Sequence, residues 1–284
     1  PDMDIDAAVA AGAKTLVIGT VSPGGVMPEV WSGEFVRAMQ AGLDIASGLH
    51  TPLGSVPVIR EAAAQNGRQL FDVRLPQQTF AVGSGRRRSG KRLLTVGTDC
   101  SVGKKYTALA LEAAMRAAGM DADFRATGQT GILIAGGGVA IDAVVADFIS
   151  GAAEWLSPDA DAQHWDVVEG QGSLFHPSFA GVSTGLLHGT QPDVFVVCHE
   201  PTRTTMRNVA ASLPTVEQVI SLTCQLGAMV NPEIRCAGVA INTAQLEQSA
   251  ARDLLDEYQQ TLNLPVTDPI RFGVDNIVAT LGGS

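Results

Sequence analysis

The chain has 284 residues and a formal net charge of −10, and 45% of its residues are hydrophobic while 17% are charged. This composition excludes an intrinsically disordered protein, which combines low hydrophobicity with high charge. General binders of nucleic acid or of anionic membranes carry positive surfaces, so we expect neither kind of partner. The sequence also lacks an apolar run of about 18–20 residues, the length that spans a bilayer. The length is sufficient for two domains.

The four cysteines, Cys100, Cys198, Cys224 and Cys236, lie too far apart for a Cys-x-x-Cys metal motif. Disulfide frameworks are typical of smaller, cysteine-rich secreted chains, and no signal peptide opens the sequence. We therefore expect reduced thiols, no metal site and a cytoplasmic location. The chain opens on Pro1 rather than on Met, and we expect an upstream segment to precede it.

Residues 1–80 predict a Rossmann-like domain whose own start is expected upstream. Short apolar runs alternate with segments of helical spacing, and glycine or Asn-Gly turns end them. The runs predict strands at 15–20, 43–47 and 70–73 and helices at 29–41 and 58–65. The loop Ser22-Pro23-Gly24-Gly25 follows the first of these strands. Strands that alternate with helices indicate a parallel sheet covered on both faces.

A basic linker is predicted at 81–92, where five positive charges fall between Arg86 and Arg92. Such a run is often a solvated hinge. Because it leads directly into the next motif, it could instead be a clamp for ligand phosphates. Both interpretations stay open at this point.

Residues 93–284 predict a second α/β domain with a doubly wound parallel sheet. The pattern predicts strands at 92–96, 123–126, 165–168, 194–198 and 237–241, and helices at 104–118, 139–155, 215–229 and 246–262. Ligands of such sheets bind beyond the carboxyl ends of the strands. The turns that follow these strands are therefore the first places to look for functional residues.

The segment Gly97-Thr98-Asp99-Cys100-Ser101-Val102-Gly103-Lys104, called here the phosphate loop, lies between a predicted strand and a predicted helix. This is the setting of a phosphate-binding loop. Small residues let main-chain N–H groups converge on an anion, and the helix N-terminus and Lys104 add positive potential. We predict that the loop, together with Lys105 and Tyr106, binds the phosphates of a cofactor.

One departure from the usual pattern concerns magnesium. Nucleotide triphosphatases of this type place Ser or Thr directly after the loop lysine to hold Mg²⁺, whereas this chain has Lys105. Either Thr107 or Thr98 takes the metal role, or the phosphorylated ligand binds without Mg²⁺. Coenzyme A fits the second description.

A second motif places Glu169 at the end of a predicted strand, followed by a Gly-x-Gly turn and by His176. The two glycines permit a tight loop that lies close to a ligand. Glu169 is then a candidate catalytic carboxylate, the alternative being a loop or cap carboxylate. His176 is either catalytic or an ordinary loop histidine. We predict that Gln171 and Ser173 contact the substrate.

Three further polar residues follow predicted strands. Arg203 and Arg207 are four residues apart, so they would share one face of a helix and could bind carboxylates or phosphates. The alternative for both is a solvated surface with exposed ion pairs. Asn242 ends another strand, where its amide could read an adenine edge or simply form a turn.

The motifs together resemble known families. GTDCSVGK followed by VEGQGS is similar to the dethiobiotin synthetase branch of phosphate-loop proteins. A longer set, which covers nearly the whole chain, resembles the D-glutamate N-acetyltransferase family: TLVIGT, SPGG, AGLDIASGLHT, GRRRSGKRLLTVGTDCSVGK, ATGQTGILI, EGQGSLFHP and CHEPTR. This resemblance implies a Rossmann-like N-terminal domain followed by a phosphate-loop NTPase-like domain. It also implies acetyl transfer from acetyl-CoA to D-glutamate in D-amino-acid catabolism.

Such a reaction needs a base for the substrate ammonium, a role for which Glu169 is our first choice and His176 the second. The developing oxyanion needs donors, which residues 127–131 or 170–173 could supply. Arg203 and Arg207 would bind the acidic substrate, and Arg86, Arg87 and Arg88 could assist the phosphate loop. A covalent acetyl-Cys100 route ranks below direct transfer, because the sequence places no base beside that thiol.

Two other functions remain open from the sequence. An ATP- and Mg²⁺-dependent ligase or phosphotransferase of the dethiobiotin synthetase type would use the same loop. A nucleotide-gated binding module would use it without catalysis. In each case we expect a small-molecule ligand and a homo-oligomer.

Overall fold

The computed structural model describes residues 3–20, 27–76 and 78–282. The chain divides into two compact units, one that ends at Gln78 and one that begins at Thr79. The predicted loop Ser22-Pro23-Gly24-Gly25 lies outside the described residues. Within them, no helix combines the length and the apolar composition needed to cross a membrane.

The first unit contains a three-stranded parallel sheet of order β1-β2-β3. Its strands are β1 (Thr15–Ile18), β2 (Asp44–Ser47) and β3 (Leu70–Asp72), and its helices are α1 (Ile5–Ala10), α2 (Glu29–Gln40) and α3 (Pro57–Asn66). The short helix α1 was not predicted, because it has only six residues and none of them is fully buried. Helix α3 begins on Pro57 and is followed by the capping residue Gly67, whose φ of 62° is the left-handed conformation that glycine favours.

The second unit contains a six-stranded parallel sheet of order β5-β6-β4-β7-β8-β9. Its strands are β4 (Lys91–Gly97), β5 (Ala122–Arg125), β6 (Trp165–Val168), β7 (Val194–His199), β8 (Arg235–Ile241) and β9 (Val266–Thr267). Its helices are α4 (Lys104–Ala117), α5 (Gln129–Ala135), α6 (Ile149–Leu156), α7 (Ala180–Thr190), α8 (Val216–Gly227), α9 (Gln248–Leu262) and α10 (Asp275–Val278).

Both faces of this second sheet are covered. Alternate residues of a strand point to opposite faces, and neighbours on β7 accordingly belong to different buried clusters: Phe195 and Val197 to one, Val194 and Val196 to the other. The predicted α/β architecture, with a Rossmann-like first domain and a doubly wound parallel sheet in the second, is confirmed.

The long helix predicted at 139–155 is wrong over its first half. Val139 and Ile141 are buried, but their N–H groups donate to the carbonyls of Ala126 and Thr127. These bonds continue the chain beside the end of β5 and leave only short 3-10 turns before α6. The apolar residues that suggested one helical face in fact serve two different local structures.

The predicted basic linker belongs to the second unit and is neither a hinge nor a phosphate clamp. Arg86 forms an ion pair with Asp159, and Arg87 forms one with Asp193. Arg88 is buried and donates to the carbonyl oxygens of residues 157, 189 and 190. These contacts lie at the amino end of β4, and the seven residues of that strand, at about 3.3 Å each, separate them from the phosphate loop.

A buried polar network extends from the amino end of β4. Arg92, which is 1% exposed, donates to Ser157 Oγ at 2.9 Å, and Ser157 in turn donates to Asp166. The ring of His164 lies between Asp121 at 2.9 Å and Asp166 at 3.2 Å. Burial acts to lower the pKa of His164, but the hydrogen bonds and charges of the two carboxylates outweigh burial and raise it.

We predict that His164→Gln destabilises the protein in a pH-dependent way. Because the folded-state pKa of His164 is raised, its contribution is fully present below the unfolded-state value of about 6.5 and disappears as the pH rises through the folded value. Urea unfolding should therefore show a larger deficit for the variant near about pH 6 than near about pH 9. The exposed His50 offers the control substitution His50→Gln, and an equal deficit at both pH values would contradict the prediction.

Candidate functional site

The phosphate loop joins the central strand β4 to helix α4, which is the strand-loop-helix setting that the sequence predicted. Gly103, with a φ of 108°, turns the chain into the helix. Lys104 is 7% exposed, and its Nζ donates to the carbonyl oxygen of Asp99 at 2.7 Å. Burial lowers the pKa of this ammonium group. The lysine thus folds back over the loop, where it adds positive charge to any anion held there.

Asp99 anchors the phosphate loop from inside. Its Oδ2 accepts hydrogen bonds from Arg203 Nη1 and from the N–H of Arg207, both at 2.7 Å. Burial acts to raise the pKa of this carboxyl group, but the bonds from Arg207 and Arg203 outweigh burial and lower it. Asp99 therefore remains a carboxylate that is bound to both arginine residues.

Arg203 and Arg207 do not share a helical face as predicted, because the segment after β7 is a series of turns that includes an isolated bridge between Thr205 and Ser212. Arg203 also donates to the carbonyl of Cys100 at 2.7 Å, and Arg207 donates to Ser101 Oγ at 2.6 Å. Both side chains therefore lie directly against the phosphate loop.

Glu169 follows strand β6, which pairs with β4, so its carboxylate lies beside the start of the phosphate loop. The side chain is buried, and its Oε2 accepts hydrogen bonds from the N–H groups of Thr127 and Gly128, both at 3.0 Å. Burial raises its pKa, while these bonds and the charges of Lys105 and Lys104 act in the opposite direction. Among the described residues, none donates a hydrogen bond to Oε1, whereas Oε2 accepts two.

The bonds to Glu169 change the role predicted for residues 127–131. The N–H groups of Thr127 and Gly128 were candidates for an oxyanion site, but they are already bound to the carboxylate. Gly131 lets helix α5 pack close to the Glu169 carboxylate, because a Cβ at this position would lie 2.2 Å from Glu169 Oε2. This segment positions Glu169 rather than offering those two donors to a substrate.

The Gly-x-Gly turn after Glu169 packs against the phosphate loop. Gly170 donates to Thr95 Oγ1 at 2.9 Å, and a Cβ on Gly170 would lie 1.6 Å from the Thr95 carbonyl oxygen and 3.2 Å from Lys104 Cδ. Gln171 donates to Thr127 Oγ1 at 3.1 Å, and Ser173 donates to the carbonyl of Thr98 at 3.2 Å. The two predicted substrate contacts therefore also join neighbouring loops.

His176 is held by main-chain groups on both sides of its ring. Its Nδ1 accepts from the N–H of Ser178 at 3.1 Å, and its Nε2 lies 2.9 Å from the carbonyl oxygen of Arg207. This pattern requires a neutral ring with the proton on Nε2. The ring also stacks on Phe179 with centroids 4.5 Å apart. The lone pair that a general base would use is therefore engaged, whereas Glu169 retains Oε1.

A groove of about 190 Å³ opens beside the N-terminus of α4. Tyr106, Asn242 and Ile270 line it, and the first and last are 56% and 73% exposed. Asn242 Oδ1 accepts from the N–H of Ala244 at 3.1 Å, so this residue both forms a turn and lines the groove. The groove provides two exposed apolar side chains and one amide close to the phosphate loop.

Two residues of this region were missed from the sequence. The buried carboxylate of Asp268 accepts from the N–H groups of Thr243 and Ile270, which joins the loops after β8 and β9. Strand β9 has two residues and gives no periodic signal. His199 Nδ1 lies 3.1 Å from Thr98 Oγ1, and burial lowers its pKa. The position of His199 at the end of β7 was the sequence signal that could have identified it as a site residue.

Two family models match the chain. The first, described as a domain of unknown function (DUF1611_N) Rossmann-like domain, matches residues 2–76. The second, described as a domain of unknown function (DUF1611_C) P-loop domain, matches residues 79–278. A crystal structure of a DUF1611 family protein from Anabaena variabilis has a TM-score of 0.91 and 35% identity, and the match covers 98% of this chain and 82% of that one.

Two curated relatives are both named D-glutamate N-acetyltransferase. The protein from Pseudoalteromonas sp is 50% identical over 271 residues, which is 95% of this chain and 82% of that protein. The protein from Tritonibacter scottomollicae is 47% identical over 281 residues, which is 99% of this chain and 84% of that protein. The chain belongs to the D-glutamate N-acetyltransferase family. The predicted family is confirmed, and this family member is an acyltransferase.

We predict that Gly170→Ala distorts the site of this acyltransferase. The added methyl group would meet the Thr95 carbonyl oxygen and the side chain of Lys104. Overpacking of about 1–3 kcal/mol should lower the melting temperature by roughly 2 °C or more. Gly181→Ala is the matched control, because a Cβ at that helical position meets no atom within 4 Å. Equal melting temperatures for the two variants would contradict the prediction.

Proposed function

We propose that this acyltransferase transfers the acetyl group of acetyl-CoA to the amine of D-glutamate. The observation that carries the proposal is the placement of the phosphate loop and of Glu169 at the carboxyl ends of the neighbouring strands β4 and β6. A phosphorylated acyl donor and a carboxylate base are the two components that such a transfer needs. The names of the two relatives support both the acetyl group and the amino-acid acceptor.

The coenzyme A part of the donor suits the phosphate loop and the adjoining groove. The loop N–H groups, the N-terminus of α4 and Lys104 favour anionic phosphates. The exposed side chains of Tyr106 and Ile270 suit the two faces of an adenine ring, and the Asn242 amide suits its edge. Loop and groove share Val102 and Gly103, so one nucleotide can contact both.

The acidic acceptor suits Arg203 and Arg207. Each guanidinium group has five N–H donors, of which the phosphate loop uses some. The remaining donors can bind a substrate carboxylate in the paired geometry that arginine favours. Because both arginines contact the loop directly, a carboxylate held there lies next to the bound donor.

Glu169 is the proposed general base. The ammonium group of the substrate gives one proton to Oε1, while the N–H groups of Thr127 and Gly128 hold Oε2 in place. The neutral amine then attacks the thioester carbonyl carbon, the C–S bond breaks, and the second amine proton goes to the departing thiolate. A raised pKa makes Glu169 a stronger base than an ordinary glutamate. We further propose that the reaction serves D-amino-acid catabolism in the cytoplasm.

The experiment that tests this proposal is a thiol-release assay with acetyl-CoA and a panel of D- and L-amino acids. We expect release with D-glutamate and little with amino acids that lack a side-chain carboxylate. Thermal shifts with acetyl-CoA and with Mg-ATP provide an independent readout, because a ligand of the folded state stabilises it. A large shift with Mg-ATP, none with acetyl-CoA and no thiol release would overturn the proposal in favour of ATP chemistry.

We predict that Lys104→Ala raises the KM for acetyl-CoA with little change in kcat. The buried ammonium group contacts phosphate equally in the ground state and in the transition state, so its loss removes uniform binding. Steady-state kinetics will measure both constants. Lys91→Ala, at the opposite end of β4, is the control. An unchanged KM in a folded Lys104→Ala protein would contradict the assignment.

We predict that Glu169→Gln lowers kcat by about 10²–10⁴-fold while acetyl-CoA affinity changes little. Because burial raises the pKa of Glu169, the wild-type rate should fall on the acidic side at a pH above the usual glutamate value of about 4.3. The variant should lose this limb and regain some rate at high pH, where more neutral amine is present. Glu112→Gln, which loses one contact with Arg116, is the control. A variant with the wild-type profile would exclude Glu169 as the base.

A further inference from the structure

The residue that follows the lysine of the phosphate loop decides how phosphate charge is neutralised. Enzymes that bind Mg-nucleotide on such a loop place a hydroxyl there as a metal ligand. This chain places the ammonium group of Lys105 there, on the first turn of α4. An ammonium group donates hydrogen bonds and cannot coordinate a metal.

The two hydroxyls that could replace the missing ligand have other partners. Thr98, fully buried, lies 3.1 Å from His199 Nδ1. Thr107, 2% exposed, accepts a hydrogen bond from Cys198 Sγ at 3.4 Å. Both side chains therefore contact residues at the end of β7.

Among the described residues, one group has atoms suitably spaced for a metal: Asp99, Cys100 and His176, whose candidate ligand atoms lie within 4.8 Å of one another. Its surroundings do not suit a divalent cation. Asp99 is already paired with Arg203, and both ring nitrogens of His176 have main-chain partners. Further positive charge in this group would be repelled.

The ammonium group of Lys105 lies close to the groove beside the phosphate loop, where ligand phosphates would need positive charge. Its Nζ is 4.4 Å from the centre of the Tyr106 ring, which lines the groove beside the phosphate loop. Its charge also acts to lower the pKa of Glu169 and so favours the carboxylate form. One side chain therefore contributes positive charge toward both the groove and the base.

We propose that Lys105 takes the place of the divalent cation, so that the loop binds the phosphates of coenzyme A without metal. This inference rests on the proposed function only in its choice of ligand. The positive charge of Lys105 would offset the negative charges of Glu169 and of the coenzyme A phosphates. No exchangeable metal ion would then be needed.

Calorimetric titration of the whole chain with coenzyme A and with ADP, each in excess EDTA and in excess MgCl₂, tests the inference. We expect the wild-type Kd for coenzyme A to agree within about twofold between the two conditions. Lys105→Ser should weaken binding in EDTA by about tenfold or more, the usual effect of losing a charged hydrogen bond, and MgCl₂ should restore part of it. Lys105→Met, which has similar length but no hydroxyl, should be weakened in both conditions.

Several outcomes would overturn the inference: loss of wild-type binding in EDTA, wild-type affinity in Lys105→Met, or absence of any metal effect in Lys105→Ser. Metal-independent binding of ADP without binding of coenzyme A would support the inference while contradicting the proposed acyl donor. Failure of both ligands to bind in either condition would overturn both. Lys105 is only partly buried, so equal melting temperatures should show that the variants fold normally.

Discussion

Main-chain N–H groups at the carboxyl edge of the second sheet need acceptors, and buried carboxylates supply them. Asp99 binds the N–H of Arg207, Glu169 binds those of Thr127 and Gly128, and Asp268 binds that of Thr243. Each carboxylate joins its own loop to another loop. A buried charge is costly unless it is hydrogen-bonded, and charge-assisted bonds of about 1.5–3 kcal/mol each offset that cost. The shape of the site depends on these links.

Burial acts to raise the pKa of both carboxyl groups beside the phosphate loop, but their net pKa shifts are opposite. At Asp99, hydrogen bonds from Arg203 and Arg207 outweigh burial and lower the pKa. At Glu169, burial outweighs two main-chain bonds and raises the pKa. Two carboxyl groups with pKa values shifted in opposite directions can take different roles. Asp99 holds the arginines against the loop, while Glu169 is the better proton acceptor.

Short-range patterns predicted most of this molecule. Apolar runs located every strand except the two-residue β9. The phosphate loop was evident because its glycines, lysine and helix start are consecutive. The partners of Glu169 could not be predicted, because Thr127 and Gly128 lie some forty residues earlier and meet it only through the pairing of β5 with β6. The role of Arg88 was predicted wrongly for a related reason. The carbonyl groups that accept its hydrogen bonds lie about 70 and 100 residues away in the sequence.

Tertiary placement also bears on whether an acetyl-enzyme intermediate forms on Cys100. The sequence ranked this route second because no base was evident, yet His176 and Asp99 lie within 4.8 Å of the thiol. Proximity to His176 and Asp99 does not by itself activate the Cys100 thiol as a nucleophile. His176 has both ring nitrogens engaged, and burial raises the pKa of Cys100, so little thiolate forms at neutral pH. Under the proposed function, a thiol without an available base competes poorly with an amine that is deprotonated by Glu169, so the arrangement favours direct transfer.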